Sequence, residues 1–123
     1  MQADSERKEL GLAGEEAARR YLQNMGFRIL GQNYRCRWGE VDLIVRKRET
    51  VYFVEVKTRR SSEAVSPLEL ISKTKQRHIS KVAQYYMSKL GEEVAGDFAV
   101  VVVDGRTFNC EWIEGAFDLA WGY

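Results

Sequence analysis

Apolar residues recur at three- and four-residue spacing through Leu10, Ala13, Gly14, Ala17, Ala18, Tyr21, Leu22 and Met25. That rhythm predicts an amphipathic helix over Glu9–Met25, with Gly26 as its stop. The pattern then changes. Phe27–Tyr34 (FRILGQNY) reads as a strand with a glycine inside it, a place for a bulge. Val41–Val45 reads as a second strand and Val51–Thr58 (VYFVEVKT) as a third, with the polar RKRET stretch between them as a hairpin turn. Arg59–Pro67 is polar, holds the single proline and is expected to be a mobile loop. The helical spacing returns in Ile79, Val82, Ala83, Tyr86 and Leu90, so a second helix is predicted over Ser72–Leu90, ended by Gly91. Phe98–Val103 is a continuous apolar run, the signature of a strand buried on both faces. Asp104-Gly105 signals a turn, and Phe108–Ile113 returns as a last strand. The closing GAFDLAWGY is apolar and is expected to pack onto the body. The resulting order, α-β-β-β-α-β-β, implies an α/β fold with a mixed sheet and helices on its faces.

Length and composition narrow the class. The chain has 123 residues, 45% apolar and 30% charged, which suits one globular domain spanning 1–123. No apolar run approaches the roughly 18 residues that cross a bilayer. The charged N-terminus has no apolar core of a secretion signal, so a cytoplasmic protein is expected. Cys36 and Cys110 form no C-x-x-C pair, which argues against a zinc site or a disulfide framework. Cys110 reads as core and Cys36 as a free thiol.

The net charge of +1 hides an asymmetry. Nine Lys/Arg face four Asp/Glu between Arg28 and Arg60, and five Lys/Arg face no acid between Ile71 and Leu90. From Gly91 onward, Arg106 alone faces seven acids. A basic middle and an acidic tail suit a protein with one phosphate-facing surface, although solvated faces would give the same counts.

The candidate chemistry lies where charges interrupt apolar strands. Strict alternation puts Glu55 and Lys57 on one face with Phe53, and Glu40, Asp42 and Ile44 on one face of the preceding strand. If the two strands form a hairpin, Asp42 and Glu55 converge. Adjacent carboxylates repel unless a proton or a cation lies between them. A hard cation, Mg²⁺ or Mn²⁺, commonly uses only one or two protein carboxylates, and lowers the pKa of an attacking water. Lys57 could orient that water or stabilise charge on phosphorus. The plainer alternative is a Glu55–Lys57 ion pair at a strand end, with Asp42 capping a turn.

Helix geometry adds a further residue. At about 100° per residue, Glu15 falls at the edge of the apolar stripe beside Ala18 and Leu22, whereas Glu16 falls well outside it. Glu15 can tilt toward the sheet and Glu16 should face water. His78, the one histidine, reads as a packing or surface residue. Lys73, Lys75, Arg77 and Lys81, with Gln76 among them, lie on the polar side of the second helix and could grip phosphates, as could Arg35, Arg37, Arg59 and Arg60, although a solvated helix face is the equally simple reading. Trp38 could stack on a base, although a buried tryptophan near a strand is the simpler expectation.

Three blocks in order then become diagnostic: GLAGEEAARRYLQNMGFRILGQNYR, WGEVDLI and VYFVEVKTR, with a closing EWIEGAF. Together they resemble the bacterial YraN family, small proteins of uncertain function, over nearly the whole chain. That family is similar to the restriction-endonuclease-like, PD-(D/E)XK superfamily, which includes archaeal Holliday-junction resolvases. The resemblance implies a restriction-endonuclease-like mixed sheet flanked by helices. It also implies a site of Glu15 (eleven residues before Gly26), Asp42, Glu55 and Lys57, with Asp42 and Glu55 on the metal. Relatives often carry Arg-Phe-Asp entering the late strand; here the stretch is Asp97-Phe98-Ala99, so no role passes to that acid.

These readings lead to one expectation and a rival. The expectation is a Mg²⁺- or Mn²⁺-dependent endonuclease acting on DNA, including branched or structured DNA, by water attack on a phosphodiester. Junction cleavage needs two sites and so a homodimer. The rival is a nucleic-acid-binding accessory protein that keeps the fold and does not cleave. A protein-interaction module with structural acids is a third possibility.

Overall fold

The computed structural model describes residues 2–60 and 71–115, with side chains from residue 5 onward. Its elements are α1 (Gln2–Asn24), β1 (Arg28–Cys36), β2 (Gly39–Lys47), β3 (Thr50–Arg59), α2 (Lys73–Leu90), β4 (Ala95–Asp104) and β5 (Cys110–Glu114). The order is the expected one. The expected loop beyond Arg60 and the closing segment beyond Gly115 lie outside the described residues.

α1 begins seven residues earlier than the apolar rhythm suggests. Residues 2–9 carry no stripe, but Gln, Ala, Glu, Arg and Lys are good helix formers and extend a helix already nucleated. Its end is a Schellman cap: Gly26 sits at φ 92°, its N–H donates to Gln23 O, and Phe27 N–H donates to Leu22 O. Leu22 and Phe27 then meet in the core, so the cap turns the chain directly into β1.

The five strands are ordered β1-β2-β3-β4-β5. β3 and β4 are parallel, joined across α2, and every other neighbouring pair is antiparallel. The register of β1 shifts between Ile29 and Gly31, where the bulge was expected. α1 packs on one face with Ala18, Leu22, Leu43, Val45, Val54 and Val101. α2 packs on the other with Ile79, Val82, Ile44, Phe53, Phe98 and Val100. Phe98–Val103 is buried throughout, as a strand covered on both faces must be.

Three local readings change. β5 starts at Cys110 rather than Phe108, because Phe108 follows the turn at φ 60° with 38% of its surface exposed. Cys110 is therefore half-buried at the strand's start rather than in the core. Trp38 is not buried: it lies in the β1–β2 turn, 36% exposed, with Arg37 and Lys81 over its ring.

The third concern is alternation in β2, and it shapes the site. Val41 packs with Ile44 on the α2 face, whereas Leu43 packs on the α1 face. Strict alternation would place Val41 with Leu43, so β2 changes phase at Asp42. Its partner β1 does the same. Register places Gln32 opposite Leu43 and Tyr34 opposite Val41, and between them Asn33 adopts φ 48°. Asparagine is among the few non-glycine residues that take this left-handed conformation readily.

Candidate metal centre

Four elements converge where β2 and β3 part. α1 contributes Glu15 because of its neighbour Gly14. A Cβ on Gly14 would collide with the Thr58 side chain of β3, so only glycine lets the helix lie this close to the sheet. One residue on, Glu15 reaches the same cleft as Asp42. Burial and the Asp42 charge push its carboxyl above the ordinary range, while a hydrogen bond from the Asn33 side chain pulls it down. Glu16 instead pairs with Arg19 and Arg20 on the outside. The two adjacent glutamates are sorted as the helical geometry predicts.

Asp42 and Glu55 take over the hydrogen bonding of the ladder. Regular β2–β3 pairing runs from Lys47 and Thr50 to Leu43 and Val54 and then stops. Beyond it, Val56 N–H donates to Asp42 Oδ2 (2.8 Å) and Asp42 N–H donates to Glu55 Oε2 (3.2 Å). The carboxylates thus satisfy backbone donors that no strand partner meets. Glu55 is 3% exposed. Burial, followed by the shared hydrogen bond and charge of Asp42, pushes its carboxyl up to about 8. This is the behaviour of an acid pair short of positive charge.

The available positive charge comes from α2. Lys75 Nζ lies 3.2 Å from Glu55 Oε1 and donates to Glu40 O at 3.4 Å. The alternative ion pair between Glu55 and Lys57 is not formed; Lys57 is exposed at the edge of the cleft. Asp42 caps no turn but bridges two strands. Glu15, Asp42, Glu55, Val56, Lys57, Ile71, Ser72 and Lys75 together line an open cleft of about 610 Å³. It adjoins a second cleft, between α1 and β3, rimmed by Arg7 and Arg60 and sharing Glu15 and Val56.

Asp42 and Glu55 fit a hard cation. Both offer oxygen donors, and one oxygen of each is already held by a backbone N–H, leaving Asp42 Oδ1 and Glu55 Oε1. Among the described residues no three His, Cys, Asp or Glu side chains come close enough to form a ready-made cage. A cation here would have two carboxylates, Asp42 and Glu55, with Glu15 on the lining of the same cleft.

The proposed phosphate-binding residues divide. Lys75 belongs to the acid pair, and the Gln76 amide donates to Ile71 O, closing the first turn of α2. Arg35 pairs with Glu40, and Arg37 lies over Trp38. Lys73 is exposed at the start of α2, and Arg60 edges the second cleft. Arg59 points elsewhere, into a hollow with Asp104, Asn109 and Glu111, where its Nε and Nη1 have no hydrogen-bond partner among the described residues. One residue and one pairing escape the sequence reading. Asn33 was signalled only by its tolerance of left-handed backbone. Lys75's pairing was signalled only by its position, a cation in the first turn of a helix.

The family model described as "Uncharacterised protein family UPF0102" matches residues 14–103. A UPF0102 protein of Syntrophus aciditrophicus is 44% identical over 115 residues, 91% of each chain. One of Desulfosudis oleivorans is 42% identical over 115 residues, 93% of this chain and 94% of its own. One of Caldicellulosiruptor saccharolyticus is 49% identical over 83 residues, 68% and 70% of the two chains. All four lining acids and bases named from sequence, Glu15, Asp42, Glu55 and Lys57, fall inside the matched stretch.

Proposed function

The chain belongs to the UPF0102 family, and from its cleft we propose that it is a metal-dependent endonuclease acting on DNA, with branched or otherwise structured DNA as substrate. The observation that supports this reading is the Asp42–Glu55 pair: two carboxylates forced together at the open end of a hairpin, short of positive charge, in a cleft with a free lysine at its edge. The order of helices and strands agrees with the restriction-endonuclease-like resemblance.

A divalent cation held by Asp42 and Glu55 would neutralise a phosphodiester and lower the pKa of a water. The chain's own groups supply the rest. Lys57 orients the nucleophilic water and meets charge growing on the phosphoryl oxygens. Glu15, with its proton affinity raised, accepts hydrogen bonds from water in the cleft. Arg7 and Arg60 flank the neighbouring cleft, where the continuing strand's phosphates would lie. Paired cuts in a junction would need two copies of the chain.

The test is cleavage of four-way junction, flap and duplex DNA with Mg²⁺ or Mn²⁺, comparing wild type with Asp42→Asn and Lys57→Ala. Cleavage is expected in wild type, none in Asp42→Asn and much slower cutting in Lys57→Ala. Equal cutting by both variants would reject the site.

A second reading is favoured by Lys75 on Glu55 and by the absence of a three-acid cage among the described residues. It makes the chain a nucleic-acid-binding accessory protein. Salt-dependent DNA binding that survives EDTA and Asp42→Asn, without cleavage, would select it.

A further inference from the structure

α2 begins against the usual electrostatic preference. Its first turn contains Lys73 and Lys75 and no acid, although the N-terminal end of a helix dipole favours negative charge. The backbone there is nevertheless firmly set. Ser72 is the N-cap, and its Oγ accepts from Lys75 N–H at 3.1 Å. Gln76 N–H donates to Ser72 O, its side-chain amide donates to Ile71 O, and Ile71 is buried in the core. Lys75 is thus held at one point of the first turn, and helical side chains lean toward the N-terminus. Its ammonium lies on Glu55 Oε1, with Glu40 O beside it.

That oxygen is one of the two left for a cation once the backbone N–H groups are served. A lysine ammonium is a compact charge on a flexible stem, and Lys75 keeps 36% of its side chain exposed. It has room to leave. An ammonium and a divalent ion on one carboxylate oxygen repel each other, so each weakens the other's hold.

We propose that Lys75 is the resident counter-cation of the Asp42–Glu55 pair, exchanging with a divalent metal at Glu55 Oε1 and, once released, becoming a phosphate ligand at the N-terminus of α2. The inference rests on the metal site proposed above and adds an occupancy rule to it. Without metal, the lysine keeps the acid pair folded. With metal, the same charge is delivered to the substrate side of the cleft.

The experiment is titration of Mn²⁺ alone into the full chain by calorimetry, for wild type, Lys75→Met and Lys75→Arg. Removing the competing ammonium should tighten Mn²⁺ binding about tenfold in Lys75→Met, while Lys75→Arg, which keeps the charge, stays at or below wild-type affinity. Tight binding by Lys75→Met where wild type binds weakly or not at all also supports exchange. Equal affinity of Lys75→Met and wild type overturns the exchange and leaves the metal site standing. No binding by any of the three removes both. A second readout needs no variant. Amine acylation of wild type, followed by mass spectrometry, should label Lys75 faster with Mg²⁺ than with EDTA. Unchanged labelling overturns the proposal.

Discussion

The β2–β3 hairpin has two ends that treat charge in opposite ways. At the closed end, Lys47 pairs with Thr50 across a two-residue turn, and the backbone ladder is regular. Its acid partner lies at the surface: Arg46, whose side chain is 14% exposed, forks onto Glu92, which is half exposed. At the open end the ladder stops after Leu43 and Val54, and the half-buried Asp42 and buried Glu55 carboxylates accept the backbone donors instead. The Arg46–Glu92 pair is worth little, because water reaches the half-exposed Glu92 carboxylate whether or not Arg46 is there. A buried acid such as Glu55 is costly without a partner. The closed end is therefore built for folding. The open end buries an acid whose charge folding alone does not require, which is why the metal site is proposed there.

The largest expected effect lies at the open end. Asp42→Asn should abolish Mn²⁺ binding and detectable cleavage, and Lys57→Ala should slow cleavage about 100-fold or more with metal affinity retained. Single-turnover kinetics beside calorimetry separates the two. Metal binding lost equally in both variants would erase the distinction between ligand and water-orienting base.

Next is the contact that brings Glu15 in. Alanine is favoured over glycine within a helix by about 1 kcal/mol. Gly14→Ala should nonetheless destabilise the chain by about 1–3 kcal/mol in denaturant melts, because the new methyl meets Thr58. Thr58→Ala should recover part of the loss. A stabilised Gly14→Ala would show that α1 can move off the sheet freely.

How much of this was legible in the residues follows from the range of each interaction. The element order was, because hydrophobic period and turn chemistry are local. The sorting of Glu15 from Glu16 was, because one helix fixes both directions. The alternation of β2 misled at Asp42, since the phase change depends on Asn33 in the neighbouring strand. The Lys75–Glu55 pair was not legible either: it joins residues twenty apart through the packing of α2, and no periodic signal marks it. The early start of α1 rests on propensity without an apolar stripe.

A smaller effect follows from acidity. The Glu55 carboxyl is pushed up from its ordinary 4.5 to about 8, so the folded chain holds this proton more tightly than the unfolded chain does. Stability must then fall as pH rises between those two values. In EDTA, the Tm should drop by about 5 °C or more from pH 5 to pH 8, and saturating Mn²⁺ should remove the drop. A flat profile in EDTA would mean the pair is already neutralised. Smallest of all, a double-mutant cycle on Arg46 and Glu92 should give a coupling below about 1 kcal/mol, with no change in metal affinity. A large coupling would end the contrast between the two ends.

The most direct test is calorimetric titration of Mn²⁺ into wild type and Asp42→Asn. A saturable binding event in wild type that is lost in the variant is the predicted result. Identical heats for the two proteins, or no binding by wild type and Lys75→Met alike, would contradict the assignment of the open end as a metal site.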